Sequence, residues 1–120
     1  MARGTIRLTR GDDYSETLSF DESDGSDYDL TGGSVRFTLK VNPGDADLAA
    51  VVSHVSGDGN LTITSPATGT VTHQITATET EALMPGVYYY DYQLVAVDST
   101  VATLERGRAE VAADITRTAA

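Results

Sequence analysis

Apolar residues recur at every second position through most of this 120-residue chain, the period of strands with one buried and one wetted face. The clearest run is Ser34 to Val41, where Val35, Phe37, Leu39 and Val41 alternate with Ser34, Arg36, Thr38 and Lys40. Thr5 to Thr9 alternates in the same way, with Ile6 and Leu8 inward, and Tyr14 to Phe20 gives a second strand that Glu16 interrupts. After the polar loop Asp21 to Asp29, Leu30-Thr31-Gly32-Gly33 re-enters the sheet, and Asn42 to Asp45 turns out of it. Leu48 to Val55 reads as a strand, or as a helical turn over Leu48 to Val52, because its apolar residues fall on both faces. Leu61 to Thr64 and Thr70 to Thr76 are short strands, the second with Val71, His73 and Ile75 on one face. Gly57-Asp58-Gly59-Asn60 and Pro66 to Gly69 punctuate them. Thr78 and Glu81 have capping-box spacing and predict one turn of helix. A long strand Val87 to Val97, the tight connection Asp98-Ser99 and the run Thr100 to Ala113 follow, with Gly107 expected at a bulge. Seven to eight short strands with frequent turn signals and one helical turn predict an all-β antiparallel sandwich. One domain, residues 1–113, with a tail at 114–120, accounts for the chain.

The stretch from Leu83 to Leu94 organises this pattern. Pro85-Gly86 is a turn dipeptide, since proline presets φ and glycine accepts positive φ. Beyond it Tyr88, Tyr90, Tyr92 and Leu94 share one face, while Tyr89, Asp91 and Gln93 share the other. The step resembles the tyrosine corner of immunoglobulin-like and fibronectin-like sandwiches, in which a strand tyrosine ties its hydroxyl to backbone just upstream. Strict fibronectin spacing selects Tyr89, whereas strand parity selects Tyr88, the residue on the core face; Pro85, Gly86 and Tyr88 are therefore assigned as fold determinants. Tyr89 and the neighbouring Val87 fall on the outward face and, with Tyr28 in the acidic loop, are the candidate interface residues.

Composition narrows the function. Eighteen acidic residues against eight basic ones give a net charge of −10, which argues against nucleic acid or an anionic membrane as partner. Asp dominates the acids, and Lys40 stands beside seven arginines, a bias compatible with a high-salt host. No cysteine is present, so disulfides and thiolate chemistry are excluded. The opening Met1 to Thr5 lacks an apolar leader region, and the expectation is an unsecreted protein without a membrane span.

Little in the chain supports catalysis. His54 and His73 are the two available imidazoles. His73 shares its face with Val71 and Ile75 and reads as a satisfied core histidine; His54 reads as an exposed or interfacial strand residue. The acidic loop Asp21 to Asp29 fails the spacing of a calcium loop and reads as a solvated hairpin around Asp24-Gly25. Arg10-Gly11-Asp12 has the form of an adhesion tripeptide but falls at a strand end. The expectation is a non-enzyme with no catalytic residue, no cofactor and no metal.

Five blocks in order resemble the immunoglobulin-like domains of tailed-phage and prophage structural proteins, of the type at the N-terminus of baseplate upper proteins. They are Ile6-x-Leu8-x-Arg10-Gly11-Asp12; Asp24-Gly25 with Asp29-Leu30-Thr31-Gly32; Val35-x-Phe37-Thr38-x-Lys40; Glu79 to Leu83 with Pro85-Gly86-x-Tyr88-x-Tyr90-Asp91-x-Gln93-Leu94; and Asp114-x-Thr116-Arg117. The resemblance implies a virion structural protein of a tail, baseplate, neck or head. It would assemble in the host cytoplasm and contact other virion proteins in several symmetry-related copies. The alternative is a receptor- or glycan-binding module displayed on the particle through the loops near Asp24, Asp58 and Asp98.

Overall fold

Alternation becomes two packed sheets in the computed structural model, which describes residues 5–22, 24–42, 44 and 50–113. The strands are β1 (Thr5–Thr9), β2 (Tyr14–Ser19), β3 (Ser34–Lys40), β4 (Val52–Val55), β5 (Leu61–Ser65), β6 (Thr70–Ile75), β7 (Gly86–Val95) and β8 (Val101–Ala112). A 3-10 turn at Pro66–Thr68 joins β5 to β6, and a short helix α1 (Ala77–Glu81) joins β6 to β7. One sheet has the order β1-β8-β7-β3-β4 and the other β2-β6-β5. All pairings are antiparallel except that of β1 with β8. This is an immunoglobulin-like β-sandwich with a fourth antiparallel strand, β4, added beside the central hairpin.

The core fills the space between the sheets with the residues that the period of two turns inward. Val35, Phe37 and Leu39 of β3 are fully buried, as are Leu61, Val71 and Ile75 from the opposite sheet. Phe37 is the centre: its ring lies 4.9 Å from that of Tyr92, 4.3 Å from that of His73 and 6.0 Å from that of Tyr90. The first two pairs are tilted and the third is stacked, and aromatic pairs in such arrangements add about 0.5–1.5 kcal/mol each beyond area burial.

At the crossover, the capping box sits two residues earlier than the spacing suggested. Thr76 is the N-cap, its hydroxyl accepting from Glu79 N at 3.3 Å while Glu79 Oε1 accepts from Thr76 N at 3.0 Å. Thr76 is the last residue in extended conformation after β6, so it, and not Thr78, meets the cap's backbone requirement. The fully buried Thr80 then clamps α1 to the turn after β1. Its hydroxyl accepts from Gly11 N at 3.1 Å and donates to Asp12 O at 2.9 Å, and Arg10 Nη2 donates to Glu81 O at 2.7 Å. The Arg10-Gly11-Asp12 stretch is thereby a structural tie, not a displayed adhesion loop. Past α1, Leu83 is buried, Gly86 takes φ +150°, and the Tyr88 hydroxyl donates to Met84 O at 2.7 Å. That bond is the tie of a tyrosine corner.

Other details depart from the pattern. Val41 is not part of the core face: β3 ends at Lys40 and Val41 is 48% exposed. The β8 irregularity falls at Leu104, between the pairs Tyr92↔Glu105 and Gln93↔Thr103, whereas Gly107 pairs in register with Tyr90. Of the stretch Leu48 to Val55, Val52–Val55 forms the strand β4, while Leu48 and Ala49 fall with residues 45–47 outside the described residues, as do Ser23, Pro43, residues 1–4 and the tail 114–120.

Replacing Tyr88 by Phe is expected to cost about 1–3 kcal/mol by removing the hydroxyl and leaving a carbonyl unpaired; denaturant titration with an unchanged slope measures it. A second comparison separates backbone strain from crowding. Gly69 (φ +68°) and Gly25 (φ +89°) both sit in left-handed conformations. A Cβ on Gly69 would lie 2.5 Å from Tyr28 O and 2.8 Å from Phe20 O, while one on Gly25 meets nothing within 4 Å. Gly69→Ala should therefore destabilise by about 1–3 kcal/mol more than Gly25→Ala, read from the difference in unfolding free energy.

Candidate functional site

The outward residues of the larger sheet form cross-strand rows. Lys40 on β3, Tyr89 on β7 and Arg108 on β8 make one row; Thr38, Asp91 and Arg106 make the next. Arg36 stands beside Gln93 one step further along. Because β7 lies between β3 and β8, the chain folds two distant pairs of cations onto either flank of one strand. The rows enclose an open trough of about 620 Å³. Arg7 on β1 also points outward, 3.8 Å from Glu110. Among the described residues, Arg10 is the one cation away from this face. The acids on the face are Asp91 and Glu110. Arg36, Arg106 and Arg108 are exposed and make no ion pair with any described residue.

The opposite outer face is chemically different. Thr17, Thr72 and Thr62 form a row across β2, β6 and β5, and Ser19 Oγ lies 3.0 Å from Thr70 Oγ1. Hydroxyls and Gln74 cover this sheet, with no charged side chain on its outward positions.

The acidic loops direct their carboxylates at their own backbones. Asp24 accepts from the Ser26 hydroxyl and N–H, Asp29 from Thr31, and Asp98 from Thr100, and these bonds hold each carboxyl below its ordinary range. Asp58 is partly buried, which opposes ionisation, yet the N–H groups of Asn60, Val55 and Leu61 outweigh that and lower it too. Among the described residues no group of three or more His, Cys, Asp or Glu converges as metal ligands would. Asp29 and Asp98 do meet across a small cleft of about 220 Å³ where the β2–β3 and β7–β8 connections adjoin. Asp58 stands apart, on the turn between edge strands β4 and β5.

Of the candidate interface residues, Val87 and Tyr89 share the outward face of β7 and Tyr28 does not join them. Val87 is 47% exposed and Tyr89 half-buried on the trough side. Tyr28 packs against the core beside Phe20, its backbone bonded to Phe20 O at 3.0 Å, because the loop folds back over Gly69. It is therefore not a loop-tip aromatic and lies away from Tyr89.

Both histidines are interior. His73 is fully buried, and His54, expected at the surface, is 4% exposed because β4 turns Val52 and His54 inward together. They belong to a chain of hydrogen bonds through the sandwich. Tyr92 Oη lies 2.8 Å from His73 Nδ1, His73 Nε2 lies 2.9 Å from His54 Nδ1, and His54 Nε2 lies 2.7 Å from Glu79 Oε2. With Glu79 ionised and both rings neutral, each tautomer follows from the network. His54 donates from Nε2 to the carboxylate, His73 donates from Nε2 to His54, and Tyr92 donates to His73. Burial opposes ionisation of Glu79, but the Thr76 N–H and the His54 bond outweigh it and hold the carboxyl below its ordinary range. These three bonds tie β7, β6, β4 and α1 to one another through the interior. In the sequence, the in-phase pair Val52 and His54 was the available signal for the interior placement.

No family model matches the chain, and no curated protein matches it. Solved structures that resemble it include murine CRIg (14% identity, 95% of each chain, TM-score 0.43). CopC from Methylosinus trichosporium OB3b matches at 12% identity over 98% of this chain and 91% of that one (TM-score 0.48). The ZIG-8–RIG-5 IG1–IG1 heterodimer matches at 9% identity over 92% and 82% (TM-score 0.43). At such identities these likenesses carry nothing about function, and the fold assignment stands on strand order and register.

The Glu79 geometry sets a pH dependence. A carboxyl whose folded pKa lies below its ordinary value of 4.5 stabilises the fold fully above that value and loses the contribution as pH falls through the folded pKa. Glu79→Gln should therefore differ most from the parent above about pH 5, and the gap should shrink steadily below about pH 4.5. Unfolding curves at stepped pH test this; a gap independent of pH would remove Glu79 from that role.

Proposed function

We propose that this protein is a non-enzymatic structural component of a tailed-virus particle, an accessory subunit of tail, baseplate, neck or head that works through protein–protein contacts. The observation that carries the contact reading is the concentration of arginines without an ion partner among the described residues, with a half-exposed tyrosine, around an open trough on one face of an otherwise acidic protein. Arginine and tyrosine are the residues that most often anchor protein interfaces. The viral assignment is supported by the order of the five sequence blocks. In this reading the sandwich is a rigid support, placed in the virion in several copies after assembly in the host cytoplasm, and neither nucleic acid nor membrane is its partner.

Display as a receptor or glycan binder has less support. The cleft between Asp29 and Asp98 is small, and Tyr28, the aromatic residue in the loops, is committed to the core.

Quantitative mass spectrometry of purified particles tests the proposal. The expected result is a constant copy number that matches a particle symmetry. A protein missing from particles, or a monomer that binds host envelopes on its own, would overturn it.

A further inference from the structure

We infer that the trough on the outer face of the larger sheet seats an acidic polypeptide: an extended, carboxylate-rich segment of a partner protein. This rests on the reading of the domain as a contact module and specifies the chemistry of its partner.

Three features support it. First, the charge is sorted. A protein of net charge −10 presents Arg7, Arg36, Lys40, Arg106 and Arg108 on one sheet face, against Asp91 and Glu110. Second, Arg36, Arg106 and Arg108 make no ion pair with any described residue, and guanidinium matches carboxylate in two-point geometry. Third, the spacing fits. Arg106 and Arg108 are alternate residues of one strand, which separates them by about 6.6–6.8 Å. Alternate side chains of an extended peptide have the same repeat, so carboxylates at every second position reach both arginines. Arg36 and Lys40 stand on β3, two strand spacings away across β7, or about 9.5 Å, and close the opposite wall.

Asp91 lies in the middle row and repels a carboxylate placed directly over β7, which directs acidic groups to the flanks. A longer polyanion such as nucleic acid would overrun the trough and meet the acidic remainder of the surface. A second copy of this chain brings the same net −10, which penalises its close approach. A local acidic stretch on a partner avoids both penalties.

The test is an NMR titration of the labelled 120-residue protein with hexaglutamate. Shifts are expected at amides of residues 36–40, 89–93 and 106–108, with binding that weakens as salt rises. The charge-reversed variant R106E/R108E and the milder R36Q/R106Q/R108Q should both abolish the response while keeping dispersed spectra and cooperative unfolding. The inference is overturned by absent shifts, by shifts spread over the acidic loops, or by a response that persists in both variants. It is equally overturned if a hexathymidylate binds the trough more tightly, or if the protein alone self-associates through it and R106E/R108E abolishes that. Failure here removes the acidic partner and leaves the copy-number measurement on particles untouched, so the two readings fail separately.

Discussion

The two-residue period of β7 is the constraint on which both the interior and the contact face depend. β7 lies between β3 and β8, so its register decides what the whole larger sheet presents on either side. Tyr88, Tyr90, Tyr92 and Leu94 go inward and Tyr89, Asp91 and Gln93 outward. A slip of one residue would bury Asp91 and put three tyrosine rings into water, reversing core and surface together. Two features pin the register. The Tyr88 hydroxyl ties the strand's start to Met84 O, and the extra residue at Leu104 absorbs the offset between β7 and β8 beyond Tyr92. Before that bulge the pairing aligns Arg106 with Asp91 and Arg108 with Tyr89. The trough is thus a product of the same register that buries the tyrosines.

The interior adds a second restraint of a different kind. Tyr92, His73, His54 and Glu79 belong in turn to β7, β6, β4 and α1, so their hydrogen bonds pass from one sheet to the other, back again and out to the helix. Apolar contacts tolerate small sliding of one sheet over another. Directional bonds between buried rings do not, since a shifted ring leaves a donor or acceptor unpaired at about 1–3 kcal/mol. Glu79 ends this chain with one oxygen and caps α1 with the other. Helix placement is therefore coupled to the core, and through Thr80 to the turn at Gly11 and Asp12.

Strand identity, facing and the corner were legible in the sequence because they rest on local alternation and on a turn dipeptide. What escaped has a physical reason in each case. The capping box at Thr76 lay hidden behind the equally spaced Thr78 and Glu81, because the cap is decided by backbone conformation at the end of β6, which sequence spacing does not encode. His54 looked like a surface residue because β4 has valines on both faces; Val55 is 42% exposed while Val52 is buried. Tyr28 looked like a loop tip because the return of its loop onto Phe20 and Gly69 is a long-range contact. The trough was the least visible feature. Lys40 and Arg106 are far apart in sequence and come to flank the same strand through the order β8-β7-β3, which no local pattern announces.

That sorting of charge decides how the contact face can operate. At physiological ionic strength the field of a surface charge fades within about 8 Å, so a ligand over the trough feels the arginines beneath it and little of the acidic loops beyond. A ligand displaced from the trough meets carboxylates instead. Those carboxylates are fixed as anions: Asp24, Asp29 and Asp98 are held ionised by bonds to their own loops. The acidic surface is therefore a standing repulsive surround for any anionic partner, attractive only where the arginines gather. Discrimination of this kind comes from penalising the wrong placements as much as from rewarding the right one, and it favours a partner whose negative charge is no wider than the span from β3 to β8.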